Sequence, residues 1–447
     1  MRPIPSRNDL IDSSNLQTED YQSIDRAHAW HPLYQHKNLD NTQLTVFEQG
    51  EGVFLTDNNG KQYLDAYSGL WNVNVGYGRQ EIADAVYKQI QKLPYYPLSQ
   101  INKPATLLAQ KLANLLPGNL NHTFFCNSGS EANETAIKMA RQYGNQRFPK
   151  ENRYKIISRY RGYHGFTYAA MSATGQARRR IPYEPLAPGF KHVHPLKVEE
   201  IEQVIQWEGP QTVVAVIAEP IIGGGGVIIP PDDYFPRLRE ICDKYELLLI
   251  IDEVITGFGR TGELFACHHW DLQPDIITLA KGITSGYLPL GACVATDQVF
   301  DAFVGEGEQR FEFEQVCTYG GHPVTCAAAL ANLDILTAEQ LWKNAAQVGS
   351  YLQQKLQHLT NFSIVKEIRG KGLMIAIELV EADGSNLATE QTNQIVHQIK
   401  ELGILIGKIS HALEEPENIL FLAPPLILTL EQADQITDVI TSVISSY

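Results

Sequence analysis

The chain predicts an α/β architecture: a large central domain with a mostly parallel sheet, and a smaller α/β domain assembled from both chain ends. Three observations carry this prediction. Short β-branched runs alternate with helix-like segments through the middle of the chain, the pattern of strands joined by crossover helices. Those runs are apolar along their whole length, as strands buried on both faces are. Beyond about residue 335 the pattern changes to a long helix followed by shorter strands.

Taken in order, residues 1–27 are polar and unpatterned and read as an N-terminal arm. Residues 28–70 are expected to begin the small domain, where "GVFLTDNNGKQYLDAYSG" (52–69) carries an Asn58-Asn59-Gly60 turn between two strand-like runs. Residues 71–335 form the expected large domain. There "HTFFCNSG" runs into "SEANETAIKMARQYG", whose Ala132, Ala136 and Ala140 recur at helical spacing, a strand followed by a helix. "YKIISRY" (154–160), "TVVAVIAEP" (212–220), "ELLLIIDEV" (246–254) and "DIITLAKG" (275–282) supply further strands, with an amphipathic crossover helix over 233–246. Residues 336–447 complete the small domain, with one long helix over 335–359 and strands in "GLMIAIELV" and "ILFLAPPLIL".

At 447 residues the chain can bury one large core and a second lobe. Its formal net charge of −15 repels phosphate backbones and anionic lipid, which argues against nucleic-acid and membrane partners. Any anionic ligand therefore needs a local site. The six cysteines form no C-x-x-C pair and sit mostly in apolar stretches, so they read as buried thiols, and no metal site is expected. No run approaches the ~18 apolar residues of a membrane helix, and the start lacks a leader's apolar core. The expected location is the cytoplasm.

Three of the buried strands share one peculiarity: each ends in an ionisable residue, Glu219, Asp252 or Lys281. In open parallel sheets, ligands bind outside the carboxyl ends of the strands. A lysine there can be a solvated end, an ion-pair partner, a phosphate clamp or a carbonyl nucleophile. A lysine that forms an imine with pyridoxal phosphate (PLP) needs a carboxylate for the pyridine nitrogen, an anion site for the phosphate and a flat side chain against the ring. Asp252, 29 residues before Lys281, suits the first role. Ser128-Gly129-Ser130 suits the second, at a strand-to-helix turn, although it equally reads as a well-capped helix. Tyr163 can supply the ring.

The segments "FFCNSGSEANETAIKMAR", "YRGYHGFT", "AEPIIGGGGV", "IIDEVITGFGRTGELFA", "PDIITLAKGITSGYLPLGA" and "TYGGHPVTCAAALANL" resemble, in order, the motif series of class III (ω-) aminotransferases, fold-type I PLP enzymes. The resemblance runs from about Trp30 to the end. It implies PLP as cofactor, Lys281 as the imine-forming lysine and Asp252 as the pyridine-nitrogen partner. It further implies Val254 on the ring face opposite Tyr163, and Gly129 and Ser130 at the phosphate. Thr318 would complete that phosphate site from the other subunit of a homodimer, with a tetramer possible. Glu219 would sit beside this cluster, and Trp71 would wall the substrate pocket.

Two departures bear on the substrate. Relatives that use 2-oxoglutarate carry a glutamate in the loop after "EP", where this chain has Gly223 to Gly226, so pyruvate is the expected acceptor. Many pyruvate-using relatives carry a carboxylate-binding arginine where alignment on "GILI" puts Gly407, with Lys408 beside it. "ATGQARRRIPYEPLAPGF" and "GILIGKIS" more narrowly resemble taurine–pyruvate aminotransferases. A sulfonate would then be met by Lys408 or by Arg178 and its neighbours. The expected reaction passes an amino group from taurine to pyruvate, giving sulfoacetaldehyde and alanine. The alternatives are a broad enzyme for β-alanine, GABA or putrescine, and a PLP-fold binding protein without turnover.

Overall fold

A computed structural model describes residues 18–38, 44–305, 311–410 and 417–447. A seven-stranded sheet forms its centre, in the order Leu120–Cys126, Gly291–Thr296, Ile276–Leu279, Leu248–Asp252, Val213–Ala218, Lys155–Arg159, Phe190–Val193. Gly291–Thr296 runs antiparallel to both of its neighbours, and the other pairings are parallel. The strands Val213–Ala218, Leu248–Asp252 and Ile276–Leu279 are buried at every position, which is why their sequences do not alternate. Helix Gly129–Arg147 lies across them with Ala132, Ala136 and Ala140 fully buried.

Of two four-stranded sheets, one joins strands from both chain ends and the other is built wholly from the C-terminal part. In one, the hairpin Phe54–Asp57 with Gln62–Asp65 turns at Asn58-Asn59-Gly60, and Gln62–Asp65 pairs in parallel with Ile404–Leu405. In the other, Ile375–Leu379 lies between Val365–Gly370 and Ile419–Leu422, and Gly407–Lys408 adds to the Ile419 edge.

Two expectations need correction. The expected arm contains a helix, Thr18–His28, with Arg26 and His28 in its last turn, where the helix dipole favours cations; residues 1–17 lie outside the described residues. The long helix expected over 335–359 is two, Pro323–Ala338 and Leu341–Leu356. Gln340 takes a left-handed conformation between them, and Glu339 is held by a bidentate pair with Arg79 at 2.9 and 2.7 Å. Helix Pro323–Ala338 packs on Gln80–Lys92 and Lys103–Leu115. The boundary expected at about residue 335 would thus fall inside a helix.

Candidate active site

Because Val213–Ala218, Leu248–Asp252 and Ile276–Leu279 are neighbours in the sheet, Glu219, Asp252 and Lys281 come together at its carboxyl edge. Lys281 opens a short 3-10 turn at φ +45°, a strained conformation for a residue with a side chain. Gly282 follows because a Cβ there would lie 2.5 Å from the Asn74 side-chain amide. Burial pushes the Lys281 ammonium pKa down, against the opposing pull of Asp252 and Glu219. Burial thus weakens the amine's hold on its proton, the direction that a nucleophilic role needs.

Asp252 is buried, and every donor it meets is fixed. Its Oδ2 accepts from Asn133 Nδ2 at 2.7 Å and His164 Nδ1 at 2.8 Å, and its Oδ1 accepts from the Val254 N–H at 3.0 Å. Thr278 Oγ1 donates to Asn133 Oδ1 at 2.7 Å, which turns the amide so that its NH2 faces the carboxylate. An ionised carboxylate only accepts, so His164 carries its proton on Nδ1. Asn133 and His164 are site residues that motif reading misses. In the sequence Asn133 reads as part of a helix-capping pattern, and His164 as the neighbour of Tyr163.

Glu219 is buried; its Oε1 accepts from the Tyr163 N–H at 2.9 Å and its Oε2 from the Gly223 N–H at 3.0 Å. It thereby ties the tyrosine loop to the glycine loop. Burial, with Asp252 nearby, pushes its carboxyl pKa up. The adjoining Glu253 faces the other way, accepting from Thr256, Ala266 and Cys267, which explains the second acid of "IIDEV".

Ser128 caps helix Gly129–Arg147, its Oγ accepting from the Glu131 N–H at 3.2 Å. The N–H groups of Gly129 and Ser130 have no carbonyl ahead of them in the helix and suit an anion. Ser130 Oγ accepts from the Phe166 N–H at 3.1 Å, leaving its hydroxyl proton for a ligand. Gly165, at φ +130°, allows this approach, since a Cβ there would meet Ser130 Oγ at 2.4 Å. A cavity of about 130 Å³ is lined by Ser128, Gly129, Ser130, Tyr163, Asp252 and Val254, with Lys281 on its wall. A helix start for a phosphate, a buried carboxylate for a pyridine nitrogen and a lysine for a carbonyl fit PLP. Among the described residues no cluster could hold a metal ion.

A larger cavity of about 840 Å³ shares Lys281, Tyr163 and Ile255 with the first. Trp71 lines it, stacked on Phe421 at 4.1 Å and 7°. The ring of Phe421 also fills the space beside Gly407, where a Cβ would lie 2.1 Å from it; an arginine at 407 has no room. Lys408 does line the cavity, paired with Glu417 at 2.6 Å. The arginine lining it is Arg179, in place of the expected Arg178, which pairs with Glu417 at 3.2 Å. Arg179 Nη2 donates to the Ser410 carbonyl at 2.9 Å, and its guanidinium lies over the Tyr163 and Phe166 rings. Gly224 lines the same cavity, where a Cβ would meet only Tyr163 at 3.8 Å. Thr318 is exposed and lines neither cavity; its carbonyl accepts from Tyr95 Oη at 2.8 Å.

The six thiols are all free and five are buried. No described helix is long and apolar enough to cross a membrane.

The family profile described as class-III aminotransferase matches residues 34–444. An uncharacterized aminotransferase of Bacillus subtilis, YhxA, is 45% identical over 439 residues, covering 95% of this chain and 96% of that protein. A taurine–pyruvate aminotransferase of Bilophila wadsworthia is 41% identical over 435 residues, covering 93% and 94%. A putrescine–pyruvate aminotransferase of Pseudomonas aeruginosa is 36% identical over 446 residues, covering 95% of each. The crystal structure of a Bacillus anthracis aminotransferase superposes with a TM-score of 0.91 at 43% identity, covering 96% of this chain and 99% of that one. With its lysine, carboxylate and capped helix gathered at one sheet edge, the chain belongs to the class III aminotransferases, PLP-dependent enzymes of fold-type I.

Proposed function

We propose that this enzyme moves the amino group of a short ω-amino donor bearing an anionic tail, taurine foremost, to pyruvate, giving sulfoacetaldehyde and alanine. The observation that carries this reading is the pair of cations, Arg179 and Lys408, lining a cavity that opens onto Lys281. A sulfonate offers several acceptor oxygens, which suit two charge-assisted donors lining one cavity. The dication putrescine would be repelled by the same pair. The name of the Bilophila relative supports taurine, and that of the Pseudomonas relative keeps diamines in the test. Gly224, without a carboxylate, favours pyruvate as acceptor.

When bound, PLP supplies an electron sink for the pair left on the amine-bearing carbon as it loses its proton. Asp252, locked by Asn133, His164 and the Val254 N–H, keeps the ring nitrogen protonated. Lys281 Nζ, biased toward its neutral form by burial, accepts the proton from the donor carbon and holds it for return. Ser128, Gly129 and Ser130 would hold the phosphate, and Tyr163 and Val254 would confine the ring. Thr318 is proposed to reach the phosphate of a second protomer. Exposed Ile101, Val316 and Tyr319 support a homodimer through this region, and a cytoplasmic location is part of the same proposal.

Steady-state kcat/KM for taurine, β-alanine, GABA and putrescine, each with pyruvate, tests the reading. Taurine is expected to lead, and Arg179→Gln is expected to lower its value at least tenfold while leaving that of putrescine unchanged or raising it. Putrescine ahead of taurine would overturn the anionic-donor assignment.

A further inference from the structure

We infer that Asp65 is a positioning residue, holding a left-handed turn that sets the shape of the donor pocket. This inference rests on reading the larger cavity as that pocket. Ser68, Gly69, Leu70 and Trp71 all have positive φ, at +49°, +49°, +79° and +62°. Only one of the four is glycine. L-residues avoid such a run because each Cβ is pressed against a carbonyl oxygen, so it persists only where the surroundings over-determine it.

Asp65 does much of that. It is fully buried at the end of strand Gln62–Asp65. Its Oδ1 accepts from the Tyr67 N–H at 2.9 Å, and its Oδ2 accepts from the Gly69 N–H at 3.0 Å and from Tyr77 Oη at 2.6 Å. The carboxylate thus grips the turn at its entry and inside it. A second hold comes from the large domain. The guanidinium of Arg260, also fully buried, donates from Nη2 to Asn74 Oδ1 at 2.8 Å and reaches Ser68 Oγ at 3.4 Å. Its Nη1 donates to the carbonyls of Leu373 and Pro424, so the same guanidinium ties the turn to segments flanking Ile375–Leu379 and Ile419–Leu422.

The consequence lies in what the turn presents. Leu70 and Trp71 line the larger cavity, and Trp71 reaches its stack on Phe421 from this backbone. Neither lines the smaller cavity around Asp252 and Ser130. Relaxing the turn toward right-handed geometry would redirect both side chains and leave the cofactor residues in place. Loss of Asp65 should therefore change which amines fit, more than how fast a fitted amine reacts.

Holoenzyme of Asp65→Asn, which keeps the size but replaces an acceptor by a donor, tests this beside Tyr77→Phe, which removes one of the three donors. The readouts are the visible absorption of the Lys281-bound cofactor, and kcat and KM for taurine and benzylamine with pyruvate. The expected result is an intact absorption band, and a taurine-to-benzylamine kcat/KM ratio displaced at least fivefold, through KM, in Asp65→Asn. A smaller displacement in the same direction is expected for Tyr77→Phe. A displacement under fivefold, whatever the losses on the two amines, would overturn the inference, leaving Asp65 a merely structural residue. If Asp65→Asn does not fold, an unchanged ratio in Tyr77→Phe overturns it. A wild type that uses benzylamine and ignores taurine would defeat the anionic-donor reading alone. A crystal structure of either folded variant with Ser68–Trp71 unmoved would defeat this inference alone, whichever amines react.

Discussion

Replacing Asp252 by asparagine isolates the charge on which the chemistry depends. The wild-type carboxylate accepts three hydrogen bonds, two at Oδ2 from Asn133 and His164 and one at Oδ1 from the Val254 N–H. An amide of the same shape cannot accept all three, because its NH2 must face at least one of those donors. One donor left unsatisfied in a buried site costs about 1–3 kcal/mol of stability. The larger effect is on rate. Two opposite charges about 4 Å apart in a partly buried site attract by about 4 kcal/mol at an effective dielectric near 20. Losing that attraction for a protonated pyridine nitrogen slows proton removal by about 10³-fold. Rapid mixing of PLP-loaded Asp252→Asn with excess amine donor, followed through the visible cofactor absorption, measures the step in a single turnover. A rate within tenfold of wild type at full PLP occupancy would refute the assigned role.

Burial lowers the Lys281 pKa below its unfolded value near 10.5, so between the two values the unfolded chain holds the proton that the folded chain has released. In the PLP-free protein this penalty is complete below the folded pKa and fades as pH rises toward the unfolded one. Lys281→Met should therefore raise the PLP-free melting temperature at neutral pH, measured by calorimetry, while abolishing turnover; a lower melting temperature would contradict the desolvation argument. His192 is pushed down to about 4 from 6.5 by burial and then by Arg180. The unfolded state takes up that proton first, so stability falls as pH drops from about 6.5 to about 4, by about 3 kcal/mol at most. His192→Gln should flatten this part of the acid limb in denaturant titrations, and an unchanged slope would remove His192 from the account. Gly224→Glu should fit, since a Cβ there meets only Tyr163 at 3.8 Å. Its carboxylate should lower kcat/KM for taurine several-fold by competing for the cavity cations, and a rise would be inconsistent with them.

Much of the site is legible in the sequence because strand ends are local features. Each buried run announces its own termination, and parallel neighbours place those ends side by side, so Glu219, Asp252 and Lys281 can be grouped from the chain alone. Contacts between distant side chains leave no such mark. Nothing in "SGSEAN" or "YHG" says that Asn133 and His164 meet on one carboxylate oxygen. Arg178 and Arg179 are indistinguishable in "ARRR", because successive residues on a helix point about 100° apart and only its placement decides which one enters a cavity. The turn at Ser68–Trp71 is hidden for another reason. A left-handed run at Ser, Leu and Trp contradicts local preference and exists only because Asp65 and Arg260 enforce it. Gln340 breaks a continuous helical pattern in the same way.

The most direct test supplies ¹⁵N-taurine and pyruvate to the PLP-loaded enzyme and follows the label by mass spectrometry. The account predicts ¹⁵N-alanine and sulfoacetaldehyde in equal amounts, and none from Lys281→Ala. Unlabelled alanine pools with no transfer from taurine, or labelled alanine formed by Lys281→Ala at the wild-type rate, would contradict it.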